Sequence, residues 1–475
     1  VTAAPLLDPT DIFVSPVNLR ASQLELMRDL VGRGETRPMS WRLDQLNRLR
    51  ALVEEHEQEL LAALASDLGK PQTEAFFEVV TLLQETKQTV KNLHRWMRPR
   101  SVPLPLTQQP GRASVVPEPL GCVLIIGPWN LPFALTLQPL ISALAAGNTA
   151  VLKPSEHAPA VSALITKACA NHFESDVVTV VEGDGLVAAE LVAMPFDHIF
   201  FTGGGSIGRK VLAGASANLT PVTLELGGKS PAIVLPGADL EISARRLIWG
   251  KGFNAGQACI APDHLIVEPT MREPLLGAME KSRTEMYGED PLNSGQLARI
   301  INTRQFERLN ALLETARSDG RILLGGEVNP QERMMAPTVI RVEDRSDPLM
   351  ADELFGPLLP VLELKDLGQT LAEIRRDPKP LALYLFGGSD AEQQQVLTTT
   401  SSGGVCINDV IMQAGIPEMP FGGVGGSGMG SYHGRAGFET FSHQKAVLKR
   451  PFRFDFKVRY PPYKLDLNVL RKLAG

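Results

Sequence analysis

The chain has 475 residues, with 47 Lys and Arg against 53 Asp and Glu for a net charge of −6. At ~150 residues per domain this length implies two or three domains, and 44% hydrophobic with 21% charged residues excludes a mostly disordered chain. Mild acidity gives no electrostatic reason to bind nucleic acid or an anionic membrane, and four cysteines, Cys122, Cys169, Cys259 and Cys406, are too sparse for a disulfide scaffold, which points to reduced thiols in the cytoplasm.

Residues 1–19 carry Asp8, Asp11 and several prolines, with neither a basic head nor an unbroken apolar run, and are not expected to act as a secretory leader. Residues 40–68 have helical periodicity, with Leu43, Leu46, Leu49, Leu52 and Val53 on one face. A second amphipathic stretch covers 74–96. Residues 98–119 contain six prolines and suit an extended arm or linker. Residues 121–152 hold no charged side chain and could pass for a membrane span. Pro128, Asn130, Pro132, Gln138, Pro139 and Asn148 interrupt them, however, which would leave polar groups and broken backbone bonds in lipid. Buried α/β core is the expectation.

From 121 to 225 short apolar runs alternate with helical stretches: CVLIIG, TAVLKPS, VVTVVEG, HIFFTGG and TLELGG. That pattern predicts a parallel sheet wrapped by helices. A second α/β stretch runs from 230 to 427. The tail beyond Ser442 shows no internal partner, and there is no repeat.

Gly203, Gly205 and Gly208 satisfy G-x-G-x-x-G between a predicted strand and a predicted helix, where backbone amides can approach a pyrophosphate. A tight turn without a ligand is the alternative. Glu225 lies near the spacing of a ribose-binding acid. It also alternates with Val222, Leu224 and Leu226, at a strand end followed by Gly227-Gly228, so it has two competing roles. Cys259 sits in a small-residue bend, FNAGQACIAP, where a thiolate could be exposed as a nucleophile toward carbonyl carbon. A buried inert thiol fits Cys122, Cys169 and Cys406 better. Asn130, just after the run CVLIIG, could donate to an oxyanion or satisfy its own turn.

Taken in order, PWN, LKPSE, FTG-x-x-x-x-G, LELGGKSP, GQACIAPD, ELFGP and PFGGVGGSGMGSYHG resemble the aldehyde dehydrogenase superfamily, from about Trp41 to the C-terminus. The forms PWNLPFALTLQP, GQACIAPD and RYPPY most resemble the class 3, fatty-aldehyde-type branch. The resemblance implies an α/β aldehyde dehydrogenase fold in three parts. A Rossmann-type NAD(P)-binding domain comprises residues 20–99 and 120–228, and an α/β catalytic domain 229–430. Residues 100–119 and 440–475 form a small β oligomerisation element and tail.

It also implies roles. Cys259 matches the nucleophile, Asn130 the oxyanion-stabilising amide and Glu225 the general base. Lys153 and Glu156 match the adenosine-ribose site, Gly203 and Gly208 the pyrophosphate turn. Trp129 matches the pyrophosphate side, and Glu353 and Phe355 the nicotinamide-ribose and ring site. The implied cofactor is NAD, NADP or both, with no metal. The chemistry agrees: thiolate attack makes a tetrahedral carbon, its oxyanion needs donors, and a carboxylate near neutrality can activate the water that hydrolyses the thioester. CoA-acylating relatives, and a non-catalytic binding protein on the same fold, are the alternatives.

Departures concern side chains around the cofactor and substrate. Gly204 and Gly205 stand where the superfamily usually has at least one hydroxyl or amide. Gln413 and His264 stand where class 3 relatives generally have His and Tyr, both expected near the substrate entrance. With Phe133 and Leu135, Gln413 is assigned to the substrate funnel. Apolar aldehydes (medium or long aliphatic, aromatic or isoprenoid-like) are expected, since no Arg or Lys is seen there to grip a carboxylate. Class 3 relatives are typically dimers. The tail, with Leu465, Leu467, Val469, Leu470 and Leu473 among charges, is too short to span a bilayer. It is expected to dock on a partner subunit, with weak contact at a membrane surface as the alternative.

Overall fold

Four helices come first in the computed structural model, which describes residues 19, 21–105, 108–453, 455, 457–463 and 466–474. Residues 1–18, read above for a leader, and Lys464 and Leu465 of the tail lie outside those described. The helices are α1 (Ala21–Gly32), α2 (Met39–Glu55), α3 (Glu57–Leu68) and α4 (Gln72–Trp96). The periodicity over 40–68 is therefore two helices, not one. His56 leaves helical geometry at φ −105° and closes α2 through Nδ1, 3.0 Å from Leu52 O. Helix α1, which the pattern reading passed over, buries Leu24, Met27, Leu30 and Val31.

The proline-rich arm is extended, as expected. It forms β1 (Arg100–Val102) and β2 (Arg112–Pro119). There follow β3 (Cys122–Ile126), α5 (Ala134–Ala146), β4 (Thr149–Lys153), α6 (Pro159–His172), β5 (Val178–Val180), α7 (Gly185–Ala193), β6 (His198–Thr202), α8 (Gly205–Ala215) and β7 (Val222–Glu225). These five strands are parallel in the order β7-β6-β3-β4-β5. Strand β3 continues to β4 and β5 on one side, and the chain then returns to place β6 on the other. The gap between β3 and β6 is a topological switch point, where ligands bind beyond the carboxyl ends of the strands. Every residue of α5 is buried. The uncharged stretch is thus a core helix covering this sheet, and truncating one of its leucines should cost ~2–5 kcal/mol. No helix among the described residues is long and apolar enough to cross a membrane.

The second α/β unit contains β8 (Pro231–Val234), α9 (Leu240–Gly252), β9 (His264–Val267), α10 (Pro269–Tyr287), α11 (Thr303–Ser318), β10 (Ile322–Leu324), a hairpin of β11 (Val328–Asn329) and β12 (Met334–Met335), and β13 (Thr338–Arg341). It continues with α12 (Pro348–Ala351), β14 (Leu358–Glu363), α13 (Leu367–Arg376), β15 (Ala382–Phe386), α14 (Asp390–Thr399) and β16 (Gly404–Ile407). Its seven-stranded sheet has the order β10-β13-β14-β9-β8-β15-β16, parallel except for β10. The chain then returns to the first sheet, where β17 (Gly428–Met429) pairs antiparallel with β7 and sets Gly428 opposite Glu225.

Helix α15 (Gly434–Thr440) leads into β18 (Ser442–Lys449). Here the reading of the tail needs correction. Beyond Ser442 the chain does have an internal partner, since β18 pairs antiparallel along the whole of β2, from Ser442–Pro119 to Lys449–Arg112. The arm and the tail thus make one three-stranded sheet, β1-β2-β18. Neither strand could reveal this alone, because a pairing across more than 300 residues leaves no local signal. A last helix, α16 (Leu467–Ala474), exposes Leu467 and Val469.

Candidate active site

Two loops meet where the two large sheets adjoin. The first follows β3 and carries Trp129 and Asn130, with Asn130 buried. The second, between α9 and β9, carries Cys259. It takes its shape from three successive left-handed residues, Asn254, Ala255 and Gly256, at φ 50°, 52° and 69°. Any Cβ at Gly256 would come within 2.3 Å of Gly356 O. Asn254 and Ala255 have no such excuse, and non-glycine residues hold this conformation only where their surroundings enforce it.

A buried hydrogen-bond network does so. Asn254 Nδ2 donates to Asn130 O at 2.9 Å and to Gln257 O at 3.0 Å. Asn130 Nδ2 donates to the same Gln257 oxygen at 3.1 Å. Gln257 Nε2 donates to Asn254 O and Arg299 O, and its Oε1 accepts from Ile301 N. Asn130 and Cys259 are therefore tied to one another through Gln257.

Cys259 is partly exposed and lines an apolar cavity of about 230 Å³. Burial, then the charges of Glu353 and Glu225, push its thiol up. The main-chain N–H groups of Cys259 and Ile260 pull the other way. The same two N–H groups are donors available to an oxygen forming beside the sulfur. Glu225, at the end of β7, is 2% exposed, and neither of its carboxylate oxygens has a partner. Burial alone drives its carboxyl well above the usual range. A buried carboxyl without a hydrogen bond is costly, and such sites cluster where function needs them.

Glu353 lies against Gly227 and Gly228. A Cβ on Gly227 would fall 2.3 Å from its carboxylate oxygens. Burial and then Asp263 raise Glu353 to about 8, against the Gly228 N–H, Lys229 and Lys251. Phe355, at φ 48°, meets Trp129 edge to face with ring centroids 5.2 Å apart, so the two units touch across the switch point. Lys153 ends β4 and pairs with Glu156 at 2.7 Å.

The residues present fit a dinucleotide. Helix α8 starts at the switch point with no side-chain cap on Gly204. Nothing lies within 4 Å of a Cβ built on Gly204, and only the end of Arg209 approaches one on Gly205. The turn thus leaves room for a pyrophosphate to approach the backbone at the start of α8. By contrast Gly203 and Gly208 are close-packed, against Phe201 and Leu226.

The predicted funnel residues separate. Leu135 lines the apolar cavity, whereas Phe133 is fully buried in the core packed against the first large sheet. Gln413 also lies elsewhere: its Nε2 donates to Tyr384 OH at 3.3 Å, and it lines a separate cavity of about 40 Å³. His264 is inside β9 with neither ring nitrogen partnered, not at a substrate entrance. Both positions were expected at the entrance from the resemblance to class 3 relatives, and neither lines the cavity beside Cys259. The cavity wall is instead built by Phe77, Leu131, Trp249, Phe253, Ile411 and Met412, with Glu78, Thr81, Gln138, Tyr432 and His433 among its polar residues. None of these was singled out. Tyr432 and His433 stood within the quoted SYHG motif, so a signal was present for them. Among the lining residues there is no Arg or Lys.

The profile of the Aldehyde dehydrogenase family matches residues 33–447. The chain is 44% identical over 444 residues to Aldehyde dehydrogenase family 3 member H1 of Arabidopsis thaliana, covering 93% of this chain and 92% of that one. It is 41% identical over 433 residues to a dog (Canis lupus familiaris) protein named Aldehyde dehydrogenase, dimeric NADP-preferring, covering 90% and 94%. A solved structure, the substrate-bound state of Staphylococcus aureus AldH, is 38% identical and superposes at a TM-score of 0.92, over 96% of this chain and 100% of that one.

Proposed function

Because the chain belongs to the aldehyde dehydrogenase family and is an NAD(P)-dependent aldehyde dehydrogenase, we propose that it oxidises apolar aldehydes to carboxylic acids through a thioester on Cys259. One arrangement carries this reading: the unpartnered carboxyl of Glu225 lies within electrostatic reach of the Cys259 thiol, which lines an apolar cavity.

The Cys259 thiol gives up its proton to water, an ionisation that burial opposes and that a cationic nicotinamide ring would favour when bound. The thiolate attacks the aldehyde carbon, forming the C–S bond of a thiohemiacetal. Its oxyanion is met by the second N–H of the Asn130 amide and by the main-chain N–H of Cys259. When bound, the oxidised nicotinamide supplies the hydride acceptor and a positive charge. The resulting thioester is hydrolysed by a water whose proton passes to Glu225. A carboxyl that burial holds well above the ordinary carboxylate range binds a proton more readily, which suits that task. The acid leaves and the thiol is restored. A water-activating base is of little use to acyl transfer onto CoA, which favours hydrolysis.

Lys153 and Glu156 are assigned to the adenosine ribose, the turn at Gly204 and Gly205 to the pyrophosphate, and Glu353 and Phe355 to the nicotinamide side. The three-stranded sheet is assigned to a homodimer. Strand β18 exposes a long edge with Val447 and Leu448 outward, the kind of edge another chain can pair with, and one relative is named as dimeric. Helix α16, with Leu467 and Val469 exposed, is assigned to the same contact.

The test is absorbance of reduced nicotinamide on mixing the protein with decanal and NAD or NADP in the absence of CoA, with the acid product measured alongside. Turnover that required CoA, or none with either cofactor, would overturn the proposal.

A further inference from the structure

Helix α4 directs two carboxylates at the two loops that meet beside Cys259. Glu74 and Glu78 are four residues apart, on one face and one turn from each other. Glu74 Oε2 accepts the main-chain N–H of Asn254 at 2.9 Å. Glu78 Oε2 accepts the N–H groups of Phe133 and Ala134 at 3.0 and 2.9 Å. Its Oε1 is paired with Lys70 Nζ at 2.5 Å, and both partners are 1% exposed.

A buried ion pair is weak grounds for stability, since desolvation offsets the attraction. What these carboxylates hold is more telling. Phe133 caps and Ala134 begins α5 directly after the Asn130 turn, so Glu78 fixes the loop that presents the Asn130 amide. Asn254 is the first of the three left-handed residues before Cys259, so Glu74 fixes the loop that presents the thiol. Asn254 Nδ2 then joins the two loops by donating to Asn130 O. Each loop is held by one carboxylate, and both carboxylates stand on one helix.

We propose that Glu74 and Glu78 are positioning residues that set the separation of the Asn130 amide and the Cys259 thiol, by tying both loops to one face of α4. This rests on reading Cys259 as nucleophile and Asn130 as oxyanion donor.

Glu74 gives the proposal a distinctive readout. Burial lifts its carboxyl to about 7, against the Asn254 N–H and Lys70, and Tyr287 of α10 also faces it. An ionised acceptor holds an N–H roughly twice as strongly as a neutral one. Below pH 6 the protonated Glu74 resembles glutamine, and above pH 8 it does not. The ratio of wild-type kcat to that of Glu74→Gln should therefore be close to one at pH 5.8 and rise to roughly tenfold at pH 8.5. The KM for decanal and the Kd of NAD should change little. Lys70→Met combined with Glu78→Gln removes both buried charges at once, and should also lower kcat at pH 8.5. A merely structural role would lower Tm and leave the Glu74 ratio flat with pH. That flat ratio, or kcat within twofold of wild type for both variants at pH 8.5, overturns the proposal. Cys259→Ala is run in parallel. Full turnover there removes the underlying nucleophile reading, whereas an inactive Cys259→Ala beside a flat ratio refutes the clamp alone.

Discussion

The side-chain amide of Asn130 donates to the main-chain oxygen of Gln257 at 3.1 Å, two residues before Cys259. One amide hydrogen is thereby committed, and the other is left for an oxygen developing beside the sulfur. The donor is thus referenced to the nucleophile's own loop rather than only to the strand from which it comes. A rigid shift of one unit against the other would have to break this bond before it could separate the pair.

This arrangement makes Asn130→Ala informative. Gln257 O keeps its second donor, Asn254 Nδ2, so the loop should hold and Tm should move by little. The loss falls on the transition state, and kcat should drop by ~10²–10³ as for other single oxyanion donors. Steady-state kinetics and a thermal melt on the same preparation check this. A loss below tenfold would remove Asn130 from the proposed role.

Glu225→Gln separates the two halves of the proposed reaction. Thiolate attack and hydride loss do not need a base for water, so one equivalent of reduced cofactor per active site should appear rapidly. Steady-state turnover should then fall by ~10²–10⁴. Rapid-mixing absorbance shows the burst directly. Undiminished turnover would transfer the base to Glu353, the other carboxyl that acts on the Cys259 thiol.

Much of this geometry was readable from residues alone, and the failures have identifiable causes. The five apolar runs before Glu225 became the five parallel strands, because buried parallel strands are written as continuous apolar text. Cys259 stood out because its bend is spelled with Gly, Ala and Pro. Residues whose work is done through space were hidden. Glu78 and Glu85 lie on the buried stripe of α4 with Ala75, Val79 and Leu82, and two acids at apolar positions were the available signal. The pairing of β18 with β2 was invisible locally. Phe133 was assigned to the funnel because α5 and the residue before it carry no charge and α5 is buried throughout, so the cavity side and the core side read alike.

Glu85 predicts a pH dependence of stability. Its carboxyl is fully buried behind the cavity and raised by burial to about 8, although Gln138 Nε2 and the Gly434 N–H favour the anion. His433, 3.9 Å away, is lowered by burial to about 4 and is neutral over this range. A folded value above the unfolded one means that stability is intact below pH ~4.5 and is lost as pH rises through about 8. Glu85→Gln cannot ionise, so it should gain on wild type between pH 5 and 9 by on the order of 1 kcal/mol or more. Denaturant melts at the two pH values decide it. An equal difference at both would show that Glu85 is not titrating as a buried acid.

For the cofactor, the proposed contact of Glu156 with the ribose hydroxyls sets up a charge test. A carboxylate there repels a 2′-phosphate, and Lys153 at 2.7 Å offsets only part of that charge. Glu156→Gln should improve kcat/KM for NADP relative to NAD, mainly through KM. An unchanged ratio would take Glu156 out of the ribose site.

Substrate polarity is the most exposed of the proposals. The cavity beside Cys259 is walled by Phe77, Leu131, Leu135, Trp249, Phe253 and Ile411, and no Arg or Lys lines it. Each methylene moved from water onto such walls is worth ~0.8 kcal/mol, a factor of ~4 in kcat/KM until the cavity is full. A carboxylate carried into the same space would lose its hydration without gaining a cation. Decanal should therefore exceed succinic semialdehyde in kcat/KM by well over tenfold. Leu135→Arg supplies the missing cation at the wall, and should narrow or reverse that ratio while leaving cofactor affinity unchanged. If succinic semialdehyde were the better substrate of the wild-type protein, the apolar cavity would not be the route by which the aldehyde reaches Cys259.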